Sequence, residues 1–229
     1  MENVRIVSVV GARPQFVKLS AICNVIGAED EHLILHTGQH YDYGMSQSFF
    51  DTLGMPNSNR NLEVGSENQG AQTGRMLEGV EAYLLEIAPD WVLVFGDTNS
   101  TLAGAIAASK LNISLAHVEA GLRSWNREMP EEINRKIVDS LSDLLLTTSP
   151  EAEANLLREG VEASRIAFVG NTMIDSLLWR KQNTKDHYAE DSSSSTGLVT
   201  IHRQSNVDDE IRLSRIVHML NRVSSQTEL

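Results

Sequence analysis

Apolar residues along this chain fall into short runs that alternate with stretches spaced for one helical face. Strand candidates are Val4–Val10, His32–Thr37, Trp91–Phe95, Ile113–His117, Leu144–Thr147 and Ile166–Val169. Between them lie helix candidates at Pro14–Ile26, Tyr43–Leu53, Ala71–Ile87, Thr98–Leu111, Pro130–Leu141 and Pro150–Arg158. Pro14, Pro130 and Pro150 suit the first turn of a helix, where a missing N–H costs nothing. This βαβα rhythm predicts an α/β protein with a parallel sheet covered by helices on both faces.

The rhythm breaks at Gly170-Asn-Thr, which a helix to about Arg180 follows. A polar segment from Lys181 to Thr196 comes next, with four consecutive serines among charges, the composition of a loop or linker. Gly197–His202 restarts a strand pattern and Val207–Val223 reads as a helix. One strand and one helix cannot bury both faces of a sheet. Residues 1–169 are therefore expected to form one Rossmann-like domain, and 170–229 an interdomain helix, a linker and the start of a second domain cut short.

Composition narrows the function. An apolar content of 41% in 229 residues supports a sizeable core. No run approaches the roughly 18 apolar residues of a membrane span. The N-terminus enters a strand with no signal-peptide pattern. A single cysteine, Cys23, forbids an internal disulfide and fits a reducing cytoplasm. Net charge of −12 argues against a nucleic-acid partner. It leaves room for a phosphate-bearing ligand held locally by a few cations and a helix N-terminus.

Candidate chemistry gathers where strands end, the edge at which open α/β sheets bind ligands. The first strand runs into Gly11-Ala-Arg-Pro-Gln-Phe-Val-Lys18. This is neither G-x-G-x-x-G nor a Walker A loop, so nothing here points to a dinucleotide or ATP. Arg13 and Lys18 bracket a helix start and would suit a pyrophosphate; equally, they would suit an ordinary helix end. Asp97 follows the strand Trp91–Phe95, either as a reacting carboxylate or as the N-cap of the next helix. Glu119 and Glu131 are placed by the pattern on the same edge. Three converging acids would raise one another's pKa, leaving one as acid and another as base. His117, two residues before Glu119, would share its face in an extended segment. His117 also suits a buried, hydrogen-bonded role. Gln39 and His40 follow the second strand, and His202 and Arg203 the last one. No H-E-x-x-H or C-x-x-C occurs, so no metal site is expected.

Taken in order, these motifs resemble the non-hydrolysing UDP-N-acetylglucosamine 2-epimerases. The residues that carry the likeness are Gly-x-Arg-Pro-x-x-x-Lys (Gly11 to Lys18), Gln39-His40, Gly96-Asp-Thr98, His117-Val-Glu-Ala-Gly-Leu-Arg123, Pro130-Glu-Glu-x-Asn-Arg135, Gly170-Asn-Thr172 and His202-Arg203. The resemblance implies two Rossmann-like domains facing across a cleft, as in GT-B glycosyltransferases, and a homodimer. It also implies inversion at C2 of a UDP-N-acetylhexosamine by loss and return of UDP through a 2-acetamidoglucal, with no cofactor. On that resemblance acid and base work would fall to Asp97, Glu119 and Glu131, with His202 near the pyrophosphate. Arg13, Lys18, Gln39, His40, His117, Arg123, Arg135 and Arg203 would hold substrate.

Two departures stand out. Tyr41 follows Gln39-His40 where substrate-activated members usually have Arg, and His202-Arg-Gln-Ser-Asn206 replaces the usual His-Arg-x-Glu-Asn. The run from Gly96 to Lys110, with Leu122 to Asn126, looks closer to the branch acting on UDP-2,3-diacetamido-glucuronate. A glycosyltransferase of the same architecture, or a silent relative that only binds sugar nucleotide, is the competing expectation. Little turnover is expected from these 229 residues by themselves.

Overall fold

The computed structural model describes residues 3–27, 29–38, 53–183, 199–201 and 204–226. The chain divides into two compact units, Met1–Asn183 and Thr184–Leu229.

In the first unit seven parallel strands form one sheet. They are β1 (Arg5–Val10), β2 (Glu31–His36), β3 (Arg60–Asn61), β4 (Trp91–Phe95), β5 (Ser114–Ala120), β6 (Leu144–Thr147) and β7 (Ile166–Phe168). Their order is β3-β2-β1-β4-β5-β6-β7, so the chain reverses direction between β3 and β4. That reversal opens a crevice beyond the carboxyl ends of β1 and β4, as in other doubly wound sheets. Among the described residues the α-helices of this unit are α1 (Arg13–Cys23), α2 (Gln69–Ile87), α3 (Asn99–Lys110), α4 (Pro130–Leu141), α5 (Pro150–Arg158) and α6 (Thr172–Asn183).

Side-chain alternation assigns the two faces. Val7, Val9, Val92, Val94 and Leu115 pack with Leu84 of α2, Ala105 and Ala108 of α3 and Val138 of α4. Val10, Ile34, Phe95 and Val118 point the other way, onto Phe16 and Leu19 of α1. A smaller cluster joins Ala120 and Leu145 to Leu156 of α5. Strands buried on both faces need apolar residues at successive positions, which is why they read as continuous runs.

Several boundaries differ from the sequence pattern. β5 runs three residues beyond His117, to Ala120. β3 is only two residues long and pairs Leu35 with Arg60 and His36 with Asn61, too short to leave a periodic signal. The division of the chain falls after Asn183 rather than after Val169, because α6 packs back on α1. There Ser176 Oγ accepts from the Ser20 hydroxyl at 2.8 Å and donates to the Val17 carbonyl at 2.5 Å. Of the expected helix Tyr43–Leu53, all but Leu53 lies outside the described residues.

The second unit shows α7 (Gln204–Val207) and α8 (Glu210–Gln226). The Asp209 carboxylate accepts from the Arg212 N–H at 2.9 Å, which fixes the start of α8 at Glu210 rather than at Val207. The described residues 199–201 of the expected strand Gly197–His202 are not in a strand. No described residue of that unit offers them a ladder.

Candidate active site

The first corner of the crevice is built by α1. Gln15, in its first turn, is buried and accepts from the N–H groups of Gly11 (2.7 Å) and Ala12 (2.9 Å). Its amide donates to the Phe95 carbonyl at 2.8 Å and to Thr101 Oγ1 at 3.0 Å. The β1 turn is thereby tied to the end of β4. Arg13 occupies the first helical position and is exposed. Lys18 does not reach outward. It is 6% exposed, and its Nζ donates to Glu119 Oε1 at 2.7 Å.

Glu119 reaches Lys18 because β5 is irregular there. Its register against β6 shifts between Val118 and Ala120, and Glu119 adopts φ +74°. Regular alternation would send Glu119 to the α4 side with Leu115 and His117; the bulge turns it to the α1 side instead. A non-glycine residue in this left-handed region costs of order 1–3 kcal/mol, and such strain concentrates at functional sites. Gly96, at φ +63°, leaves the room needed: a Cβ there would stand 2.9 Å from Lys18 Nζ and 3.6 Å from Glu119 Oε1.

Asp97 follows Gly96 and does not cap α3. Thr98 does, its hydroxyl accepting from the Thr101 N–H at 3.4 Å. The Asp97 carboxylate is left for Arg135, whose guanidinium meets it at 2.5 Å. Arg135 also donates to Glu132 at 2.9 Å, and Asn134 donates to the Asp97 carbonyl at 2.8 Å. Glu132 is fully buried and accepts as well from the Ser124 N–H and hydroxyl and from the Trp125 N–H. Burial works to raise its pKa, yet the Ser124 groups, Arg135 and Trp125 outweigh that and bring it to about 2. Glu132 is thus a fixed anion that steadies Arg135 and the loop before α4. Glu131, one residue earlier, is exposed in the first turn.

The acids therefore do not stack against one another as the sequence suggested. Each of two has its own cation, Lys18 for Glu119 and Arg135 for Asp97.

His117 and Arg123, expected among the ligand contacts, have gone inside. The His117 ring is wholly buried, its Nε2 donating to the Gly96 carbonyl at 2.7 Å and its Nδ1 facing Asp139 Oδ1 at 2.6 Å. Asp139 Oδ2 takes the Gly121 N–H at 3.1 Å and Arg123 at 2.8 Å. The Arg123 side chain, also buried, extends to Glu159. Burial pushes the Asp139 carboxyl up, but the His117 hydrogen bond and the His117 and Arg123 charges hold it below its ordinary value. Gln39, His40, His202 and Arg203 lie outside the described residues.

Sequence reasoning passed over Gln15, Glu132, Asn134 and Asp139. Three of these share α4 with Arg135, at spacings that put Glu132, Arg135 and Asp139 on one helical face (positions i, i+3 and i+7). A polar stripe facing a sheet was the available signal. Among the described residues, no three His, Cys, Asp or Glu side chains group so as to hold a metal ion. No helix there is long and apolar enough to cross a membrane.

Known proteins resemble this chain in sequence and fold. The family model described as UDP-N-acetylglucosamine 2-epimerase matches residues 26–229. A UDP-N-acetylglucosamine 2-epimerase homolog of Methanococcus maripaludis is 49% identical over 93% of this chain and 61% of its own length. The UDP-2,3-diacetamido-2,3-dideoxy-D-glucuronate 2-epimerase of Pseudomonas aeruginosa is 45% identical over 96% of this chain and 63% of its own. The crystal structure of the Methanocaldococcus jannaschii UDP-GlcNAc 2-epimerase with UDP-GlcNAc and UDP superposes with a TM-score of 0.84 at 43% identity. That match covers 96% of this chain and 62% of the other. The chain thus spans about three-fifths of the length of these relatives.

Proposed function

The chain belongs to the UDP-N-acetylglucosamine 2-epimerase family, and on that premise we propose that the whole protein inverts C2 of a UDP-N-acetylated hexosamine. The observation that carries the reading is the corner at Gly96. Lys18 and Glu119 meet beside it, and Asp97 stands next in the chain on Arg135.

The chemistry needs a base at C2, a leaving diphosphate at C1 and an acid for the returning proton. A carboxylate removes the C2 proton, and the C–H pair becomes the C1–C2 double bond. UDP leaves C1 with the electrons of its C–O bond, giving a 2-acetamidoglucal. UDP then adds back at C1 while C2 takes a proton on its opposite face. General acid–base assistance of this kind contributes about 10²–10⁴-fold. We assign it to Asp97, Glu119 and Glu131. Arg13, exposed where α1 begins, suits the diphosphate together with the positive end of that helix. His202 belongs near the same group on the resemblance, with Gln39, His40 and Arg203 as further contacts. The buried Lys18 acts through Glu119 rather than on phosphate. No nicotinamide or metal is required, and a homodimer working in the cytoplasm completes the reading.

The test is deuterium entry at C2 of UDP-N-acetylglucosamine in heavy water, followed in a protein of the relatives' length. Glu119→Gln is expected to slow it at least about 100-fold. An unchanged rate removes Glu119 from the chemistry, and no exchange in the unaltered enzyme with either this sugar or UDP-2,3-diacetamido-glucuronate removes the epimerase reading itself. A second substrate, UDP-2,3-diacetamido-glucuronate, is favoured by the 45% identity to the Pseudomonas aeruginosa enzyme across nearly the whole chain. Competition between the two sugars in the same assay separates them.

A further inference from the structure

Two reacting carboxylates on separate strand ends are useful only if their spacing is held, and the ion pairs to Lys18 and Arg135 fix side chains rather than the backbone beneath them. The backbone is held from behind the site. The ring of His117 and the carboxylate of Asp139 are wholly or almost wholly buried, closed off from solvent in the crevice. His117 Nε2 grips the Gly96 carbonyl, the peptide unit that leads into Asp97. Asp139 Oδ2 grips the Gly121 N–H, two residues after Glu119. The two grips are joined by the 2.6 Å contact between His117 Nδ1 and Asp139 Oδ1. Both ring nitrogens face oxygen atoms, one on each turn's side of the ring. Arg123 and Glu159 extend this chain of contacts, with Arg123 bridging the Asp139 and Glu159 carboxylates.

We propose that His117 and Asp139 form a buried positioning pair, clamping the Gly96–Asp97 and Glu119–Gly121 turns to one another and so setting the separation of the two carboxylates. The pair also opposes relaxation of the strained Glu119 backbone. The relevance to catalysis rests on the reading of Asp97 and Glu119 as acid and base; the mechanical claim does not.

The experiment compares the 229-residue chain with its Asp139→Asn and His117→Gln variants by NMR. In the unaltered chain the three-bond coupling between the amide and α protons of Glu119 should lie clearly below the extended value, as its φ of +74° requires. In each variant the Glu119 coupling is expected to move toward the extended value. The Gly121 amide should exchange with solvent at least about 10-fold faster, while Val9 and Val94 in the core stay protected. Retention of the Glu119 coupling and Gly121 protection in both variants would overturn the proposal. So would a loss of protection equal at Gly121, Val9 and Val94, since that marks fold support only. If Asp139→Asn does not fold, the shape-tolerant His117→Gln variant decides. A second reading uses C2 exchange in the whole protein, where kcat should fall about 100-fold with KM within about twofold, as expected of misplaced groups with intact binding. An unaltered enzyme that exchanges no C2 proton would end the epimerase reading, and the Glu119 coupling would still judge the clamp.

Discussion

Glu132 fixes the charge pattern at the crevice edge. With its pKa at about 2 in the fold against 4.5 in the open chain, its stabilisation is complete above about 4.5 and is lost as pH falls toward 2. The shift corresponds to on the order of 3 kcal/mol. Urea titrations of the unaltered chain and Glu132→Gln should therefore differ by several kcal/mol at pH 7, with the gap closing steadily below about pH 4.5. A gap independent of pH would mean that shape, not charge, is what Glu132 supplies. Gly96→Ala is expected to lower the melting temperature, because its new Cβ meets Lys18 Nζ in a backbone region costing about 1–2 kcal/mol. The same variant should weaken the Lys18–Glu119 pair, visible as a changed Lys18 amine resonance. At this scale sequence was a partial guide. Asp97 and Glu119 were legible as strand-end acids, whereas Asp139 and Glu132 drew no reading at all. Only the fold shows that their face of α4 turns inward to the two turns.

Among the elements, β5 departs furthest from its sequence pattern. Period-2 alternation put His117 and Glu119 on one side; a single bulge separates them, one buried behind the sheet and one delivered to the crevice. Patterns report the average pleat, and a one-residue irregularity leaves no trace in them. Most other elements were legible because buried parallel strands and capped helices are written in long runs. β3, with two residues, was not legible in this way. The union of α1 and α6 rests on two small residues, Ser20 and Ser176, at close approach. Ser176→Leu overfills that seam and is expected to cost about 1–3 kcal/mol. Hydrogen exchange should show α6 opening ahead of the sheet; uniform loosening across the unit would contradict this.

Taken as a whole, the described core belongs to one unit. All three apolar clusters draw their residues from before Asn183. A chain ending at Asn183 should thus melt within a few degrees of the full 229 residues by calorimetry. A drop of ten degrees or more would show that the second unit stabilises the first. Domain organisation was harder to read than fold class for the same reason. Gly170 looked like a boundary because the alternating rhythm stops there, and the helix expected to lead between domains, α6, packs on α1 within the compact unit Met1–Asn183.

The paired side chains of the crevice also sit at very different distances along the polypeptide. His117 and Asp139 are 22 residues apart, Asp97 and Arg135 38, and Lys18 and Glu119 101. Loop-closure entropy rises with span, so these joints should close in that sequence when the whole chain refolds, although on the ribosome Glu119 emerges before Arg135 and Arg135 before Asp139. A nascent polypeptide stalled before Asp139 would carry every proposed acid and yet lack the clamp behind them. The spacing of the two acids is accordingly set only after α4 has docked.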